Sequence, residues 1–288
     1  MQPAQTASRP TLWPLLAAYV AAFVLAMGAS VAFVLAAVAG RAGGSATRLA
    51  DEAMRFALTA PGLLGAAFVD AAVLVGVTLV AARLMGGGAQ VRLRLGPTRA
   101  TPLGVVATVV GMAGLSLASG AAADLLTVGH GGVMEAIASA LRSSDPARVL
   151  VALLAIAVAP AIAEEGFFRG LLLTRLTARW GRWPAIVTSA AAFGLFHLDP
   201  VQGSLAFVAG IFLGWASERF SGIRPTMVAH GVNNAMFVLF ACLASSDEHG
   251  TRTEAAVTGI GGAVACAACV ALLRSRVAVR ATASISAS

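Results

Sequence analysis

The sequence has no lysine. All twenty basic residues are Arg, 13 residues are acidic, and charged residues of either sign fill only 11% of 288 positions. A soluble domain is roughly a quarter charged, so this chain cannot coat a water-exposed globule of its size. Aromatic residues are scarce too, at 6%, with a single Tyr, and there are only three Cys. Cys266 and Cys269 form a C-x-x-C inside the apolar run AVACAACVALL, with no second ligand pair nearby. Zinc or redox use is therefore not expected of them, and with Cys242 they read as small buried residues. The sequence also shows no internal repeat and no low-complexity region beyond general Ala richness, and its end, ATASISAS, reads as disordered.

What is abundant is apolar sequence: 58% of residues are hydrophobic and mean hydropathy is +0.85. Taking about 17–25 mostly apolar residues as one membrane crossing, eight spans are expected, near 12–39, 62–82, 103–122, 148–168, 184–202, 203–218, 225–244 and 255–273. The fifth and sixth are short and are divided by Asp199-Pro200 and Gly203. The fold class expected is an all-α, polytopic membrane helical bundle. The first apolar run is nearly thirty residues, longer than the usual 7–15-residue signal core, and is read as a retained helix.

With eight spans, both termini and the second, fourth and sixth connections share one side, which holds 14 of the 20 Arg. The positive-inside bias puts that side, and both termini, in the cytoplasm of a cell-membrane protein. The same asymmetry accounts for the sequence pI of about 11.1, so no nucleic-acid partner is expected. Trp13, Trp180, Trp183 and Trp215 fall near proposed span ends, as an aromatic belt predicts.

Ionisable residues at membrane depth are costly and default to function. Between Val149 and Ala163 the chain runs fifteen residues without a charge; Glu164 and Glu165 follow, then Arg169. Positions i and i+4 share a helix face, so Glu165 and Arg169 can pair and neutralise each other. Glu164, about 100° round the helix, is left without an obvious local partner. Phe193 and His197 are also i, i+4, as are His230 and Asn234. One carboxylate, two imidazoles and a carboxamide on three helices are what water-mediated amide hydrolysis needs. A carboxylate or imidazole takes a proton from water, and an imidazole N–H and a carboxamide NH2 can hydrogen-bond a developing oxyanion. Simpler readings stand beside this one. The two Glu could face interfacial water at a helix end, and either His or Asn234 could be an interhelical contact. Asp70, alone in mid-span, reads as structural.

EEGFFR at 164–169, FGLFH at 193–197 and HGVNN at 230–234 together resemble the CPBP family of intramembrane endopeptidases, the CAAX prenyl protease 2 and bacteriocin-processing (Abi) group. Its pattern is Glu-Glu-x-x-x-Arg, then Phe-x-x-x-His, then His-x-x-x-Asn, in this order. The resemblance covers roughly 145–245, about a third of the chain. It implies that Glu164 is the general base that activates water, assisted by His197. Glu165 and Arg169 would support it, and His230 and Asn234 would form the oxyanion hole. No HExxH is present and no cofactor is expected; Glu164, His197 and His230 are the donors on hand for a divalent metal.

For those residues to converge, the fourth helix must continue past Arg169 toward Arg175, and a water-filled, cone-like cavity open to the cytoplasm is expected. The domain reading is 1–122 N-terminal helices, 123–147 an extracytoplasmic loop, 148–245 the catalytic core, and 246–288 a last helix and tail. Partners expected are the lipid bilayer and a peptide or protein substrate. The all-Arg, Ala-rich composition points to a bacterial source, which disfavours prenylated substrates. Three rivals remain: an inactive membrane scaffold or bacteriocin-immunity protein of the same fold, a rhomboid-type protease using Ser116 in GLSLAS, and a transporter, against which stands the absence of repeat halves.

Overall fold

In a computed structural model, residues 11–85, 93–126, 133–142, 145–243, 251–275 and 277–279 are described. The terminal ATASISAS lies outside them. Ten helices are present among these residues: α1 Trp13–Val38, α2 Ala46–Ala57, α3 Ala60–Leu84, α4 Pro102–Leu125, α5 Val133–Leu141, α6 Pro146–Trp180, α7 Arg182–Phe196, α8 Pro200–Phe220, α9 Arg224–Leu243 and α10 Arg252–Arg274. No strand forms among them, only an isolated bridge between Ala100 and Val279.

Local sequence dictates most helix starts. Ser45, Thr59, Thr101, Asp145, Asp199 and Thr251 each accept a hydrogen bond from a free first-turn N–H. Pro follows at the first or second helical position of α3, α4, α6 and α8, where its missing donor costs nothing. Glu254 completes a capping box with Thr251.

Six helical segments are long and apolar enough to cross a membrane, rather than eight: Trp13–Arg41, Ala60–Leu84, Pro102–Leu125, Pro146–Trp180, Pro200–Phe220 and Arg252–Arg274. The two expected spans that fall short are α7 and α9. α7 has 15 residues, about 22 Å at 1.5 Å per residue, against a hydrocarbon core of about 30 Å. α9 has 20 residues but carries the polar HGVNN. The fifth and sixth expected spans also divide earlier than 202/203. Leu198 adopts φ 58°, Asp199 is extended as a residue before Pro must be, and α8 starts at Pro200. At this turn, a Cβ on Gly194 would come within 2.6 Å of the Gly203 carbonyl, so only glycine allows α7 and α8 to cross so closely. α4 and α10 meet in the same way, through Gly114 and Gly262, with Cys266 and Cys269 packed against that contact. The stretch 123–147, expected as a loop, carries α5, whose Leu141 is buried.

The outer surface is apolar. Leu16, Val20, Val24 and Val31 on α1, and Val257, Ile260 and Val264 on α10, are all about half exposed or more. Contiguous apolar surface of this kind is found where lipid replaces water, and the chain is a multi-pass membrane protein. Trp13, Trp180 and Trp183 are exposed at helix ends; Trp215 instead packs into the interior beside Phe212.

Antiparallel packing gathers the Arg residues at one end. Arg83, Arg94, Arg99, Arg175, Arg179, Arg182, Arg219, Arg224 and Arg274 lie at or near helix ends there. Arg94 pairs with Glu218, and Arg219 donates to the Leu273 and Arg274 carbonyls that end α10. Ile223 N–H donates to the Arg94 carbonyl and Arg99 N–H to that of Phe220, binding residues 93–101 to the α8–α9 turn.

Candidate active site

The motif Glu-Glu-x-x-x-Arg lies midway along α6, which continues to Trp180 as the convergence of the polar residues required. Here the helix widens: residues Glu165–Leu173 take π-helical geometry, as do Leu153–Val158 ahead of the α-helical Ala159–Glu164. Such widenings are rare and often mark functional sites. With i→i+5 hydrogen bonds, a residue four positions on stops just short of a full turn. Glu165 and Arg169 therefore still share a face, and Arg169 lies 2.8 Å from Glu165 Oε1. The pair is fully buried, at 0% and 1% exposure. The Arg169 guanidinium also lies over the Phe193 ring at 4.4 Å, a cation–π contact strengthened by desolvation.

His230, from α9, joins the two glutamates. Its Nδ1 lies 3.1 Å from Glu165 Oε1 and its Nε2 lies 3.6 Å from Glu164 Oε2. A carboxylate accepts, so Nδ1 carries the proton and donates to Glu165, as a buried acid orients a catalytic imidazole. Glu164 thus faces His230 Nε2, an approach that becomes an ion pair only when the ring also carries a proton there, and Glu165 is shared between Arg169 and His230 rather than spent on Arg169 alone. The resulting order is Arg169, Glu165, His230, Glu164, with only the last group partly exposed, at 18%.

His197 ends α7. Its Nδ1 is 2.9 Å from the Phe193 carbonyl, which can only accept, so the neutral ring carries its proton there and keeps the Nε2 lone pair free. Phe193 holds both imidazoles edge-on, with centroids at 4.9 Å for His197 and 5.9 Å for His230. One ring thereby contacts Arg169 and both candidate histidines.

Asn234 Nδ2 donates to the Ile156 carbonyl at 3.1 Å. Ile156 lies in the widened turn Leu153–Val158, just ahead of Pro160, which has no N–H to give the carbonyls there. The interhelical contact foreseen as the simpler reading of Asn234 is therefore present. It uses one of the two amide N–H groups and leaves the other.

Glu164, His197, His230 and Asn234 all line one cavity of about 650 Å³, within the size range of ligand pockets. Phe193 and Pro160 share its wall. So do Gln202 and Asn233, whose roles no motif spacing suggests, and Ser116 and Asp70. Asp70 is not alone, since Ser30 of α1 donates to its Oδ1 at 2.6 Å. Among the described residues no three His, Cys, Asp or Glu side chains gather as a metal site.

The cavity was expected to open toward the Arg-rich end; the packing differs. Its wall begins at the level of Glu164 on α6 and His230 on α9 and rises from there toward α5 and the α7–α8 turn. Toward the Arg-rich end that level is backed by Glu165, Phe168, Arg169, Leu173 and Phe220, all less than 2% exposed. The reason is the aromatic and leucine packing of FFRGLLL, which the expected water-filled cone would have had to displace.

Fold and site together define a polytopic membrane protein with carboxylates and imidazoles around a buried cavity. Residues 146–236 match the family model described as type II CAAX prenyl endopeptidase Rce1-like. That match spans the three motifs and about a third of the chain, and it agrees with the resemblance read from those motifs. Comparisons with curated proteins and with solved structures gave no significant match.

Proposed function

We propose that the chain is an intramembrane endopeptidase of the cell membrane, in which Glu164 is the general base for a hydrolytic water. The observation that carries this reading is the Glu164 carboxylate on the cavity wall with His230 Nε2 at 3.6 Å. In the reaction, Glu164 takes a proton from water as its oxygen attacks the scissile carbonyl carbon. His197, with its Nε2 lone pair free, accepts the water's other proton in a hydrogen bond and orients it. The carbonyl π electrons move onto oxygen, and the oxyanion accepts hydrogen bonds from His230 and from the remaining N–H of Asn234. To donate there His230 Nε2 must be protonated, and Glu165 at Nδ1 stabilises that imidazolium. Glu164 then returns its proton to the departing amine as the C–N bond breaks.

Glu165 and Arg169 act through His230 and are positioning residues. The Arg-rich end is taken as cytoplasmic, with both termini there, so a substrate segment reaches the cavity from the other half of the bilayer. The test uses purified full-length protein and a mixture of quenched fluorescent apolar peptides. Glu164→Gln is expected to lower kcat by about 10²–10⁴-fold, while Glu165→Gln leaves residual cleavage. Equal turnover in wild type and both variants sinks the protease reading in favour of an inactive scaffold or immunity protein. Ser116 on the same wall keeps a serine mechanism in the comparison: Ser116→Ala is expected to cleave normally, and total loss in that variant would favour the rhomboid-type alternative.

A further inference from the structure

Asp70 is a carboxylate in the middle of α3 that the hydrolytic scheme leaves unused. It is half-buried, on the wall of the same cavity. An ionised carboxylate offers about four acceptor sites, and Asp70 receives a single neutral donor, the Ser30 hydroxyl. No ion pair among the described residues involves it. Among the described residues the wall holds two carboxylates, Asp70 and Glu164, two imidazoles, His197 and His230, and no Arg; the chain has no Lys. The nearby Arg169 is 1% exposed and held by Glu165, so it is shut away from the cavity. Elsewhere the wall is largely apolar, with Leu63, Leu74, Met112, Phe196 and Phe237.

Around Asp70 this lining complements an apolar segment bearing one positive charge. We propose that Asp70 is the specificity-determining residue of this cavity, holding the guanidinium or ammonium of a basic side chain in an otherwise apolar substrate segment. The proposal rests on the endopeptidase reading of the same cavity and deepens it: the bond cleaved lies near an Arg or Lys. The Ser30 hydroxyl fixes one Asp70 oxygen against α1 and leaves the other to the cation.

Asp70→Asn removes the charge and keeps an oxygen that accepts from Ser30, so the contact between α1 and α3 survives. The experiment compares wild type and Asp70→Asn, as full chains in detergent micelles, on apolar quenched peptides. These carry Arg, its neutral isostere citrulline, or Glu at one position moved along the peptide. Wild type is expected to favour Arg over citrulline by about tenfold in kcat/KM, the contribution of one charge-assisted hydrogen bond. Asp70→Asn is expected to bring that ratio near one. A ratio unchanged by Asp70→Asn, or wild type cleaving all three peptides equally, overturns the proposal and leaves the Ser30–Asp70 bond as a helix contact. A second arm measures peptide Kd by fluorescence anisotropy in Glu164→Gln with and without Asp70→Asn. If wild type cleaves nothing, the endopeptidase reading fails and this arm decides: a preference for Arg that disappears with Asp70 sustains the cation site, and equal Kd values reject it.

Discussion

Arg169 is the largest fully buried side chain among the described residues, and Glu165 beside it has no exposure at all. Removing one member of a buried ion pair leaves the other charge uncompensated, at about 3–5 kcal/mol, whereas replacing both with apolar groups is often close to neutral. Arg169→Met is therefore expected to lower the midpoint of thermal unfolding in detergent sharply. Glu165→Gln combined with Arg169→Met is expected to recover most of that loss. Equal damage in the single and double variants would mean that Arg169 acts by packing on Phe193 rather than by charge. The pairing itself was legible from the i, i+4 spacing. The second partner of Glu165 was not, because His230 is 65 positions away and no local pattern reports which helix packs against which.

At the scale of one element, α6 carries two π-helical turns and a proline in a single 35-residue helix. Pro160 interrupts the backbone ladder just after the first widened turn, and Asn234 donates to the Ile156 carbonyl within that turn. Asn234→Leu should cost about 1–3 kcal/mol by leaving a buried carbonyl unpaired. In a Pro160→Ala background, where residue 160 can donate to that carbonyl, the same change should cost less. A double-mutant cycle in detergent is expected to give a coupling of about 0.5–3 kcal/mol; strict additivity would show that Asn234 does not serve that carbonyl. Pro160 was visible in the sequence as an imino acid inside a long apolar run. Its consequence for α9 required knowing that Asn234 packs opposite.

At the scale of the whole molecule, charge is partitioned between two ends. The nine Arg named above share their end with one acid among the described residues, Glu218. The other end mixes Arg41, Arg48, Arg55, Arg142, Arg148 and Arg252 with Asp51, Glu52, Asp124, Glu135, Asp145, Asp199 and Glu254. This partition predicts orientation. In a background with Cys242, Cys266 and Cys269 replaced by Ala, an impermeant thiol reagent added outside intact cells should label Arg148→Cys and spare Arg179→Cys. The reverse pattern would invert the topology, and with it the side from which substrate reaches the cavity.

Composition alone determined the solvent: too few charges for water, and enough apolar runs for lipid. Helix starts were also local, because a capping oxygen or a first-turn proline acts within a few residues. The three motifs marked the helices that matter, and residues 146–236 match the protease family they resemble. Packing decided the rest. It set α7 against α8, and α9 against α4 and α6, pairings that no count of apolar residues predicts. Likewise, the side of Glu164 on which the cavity lies depends on where buried side chains such as Phe168 and Leu173 pack. Those contacts join residues far apart in the chain, and only the folded arrangement brings them within reach.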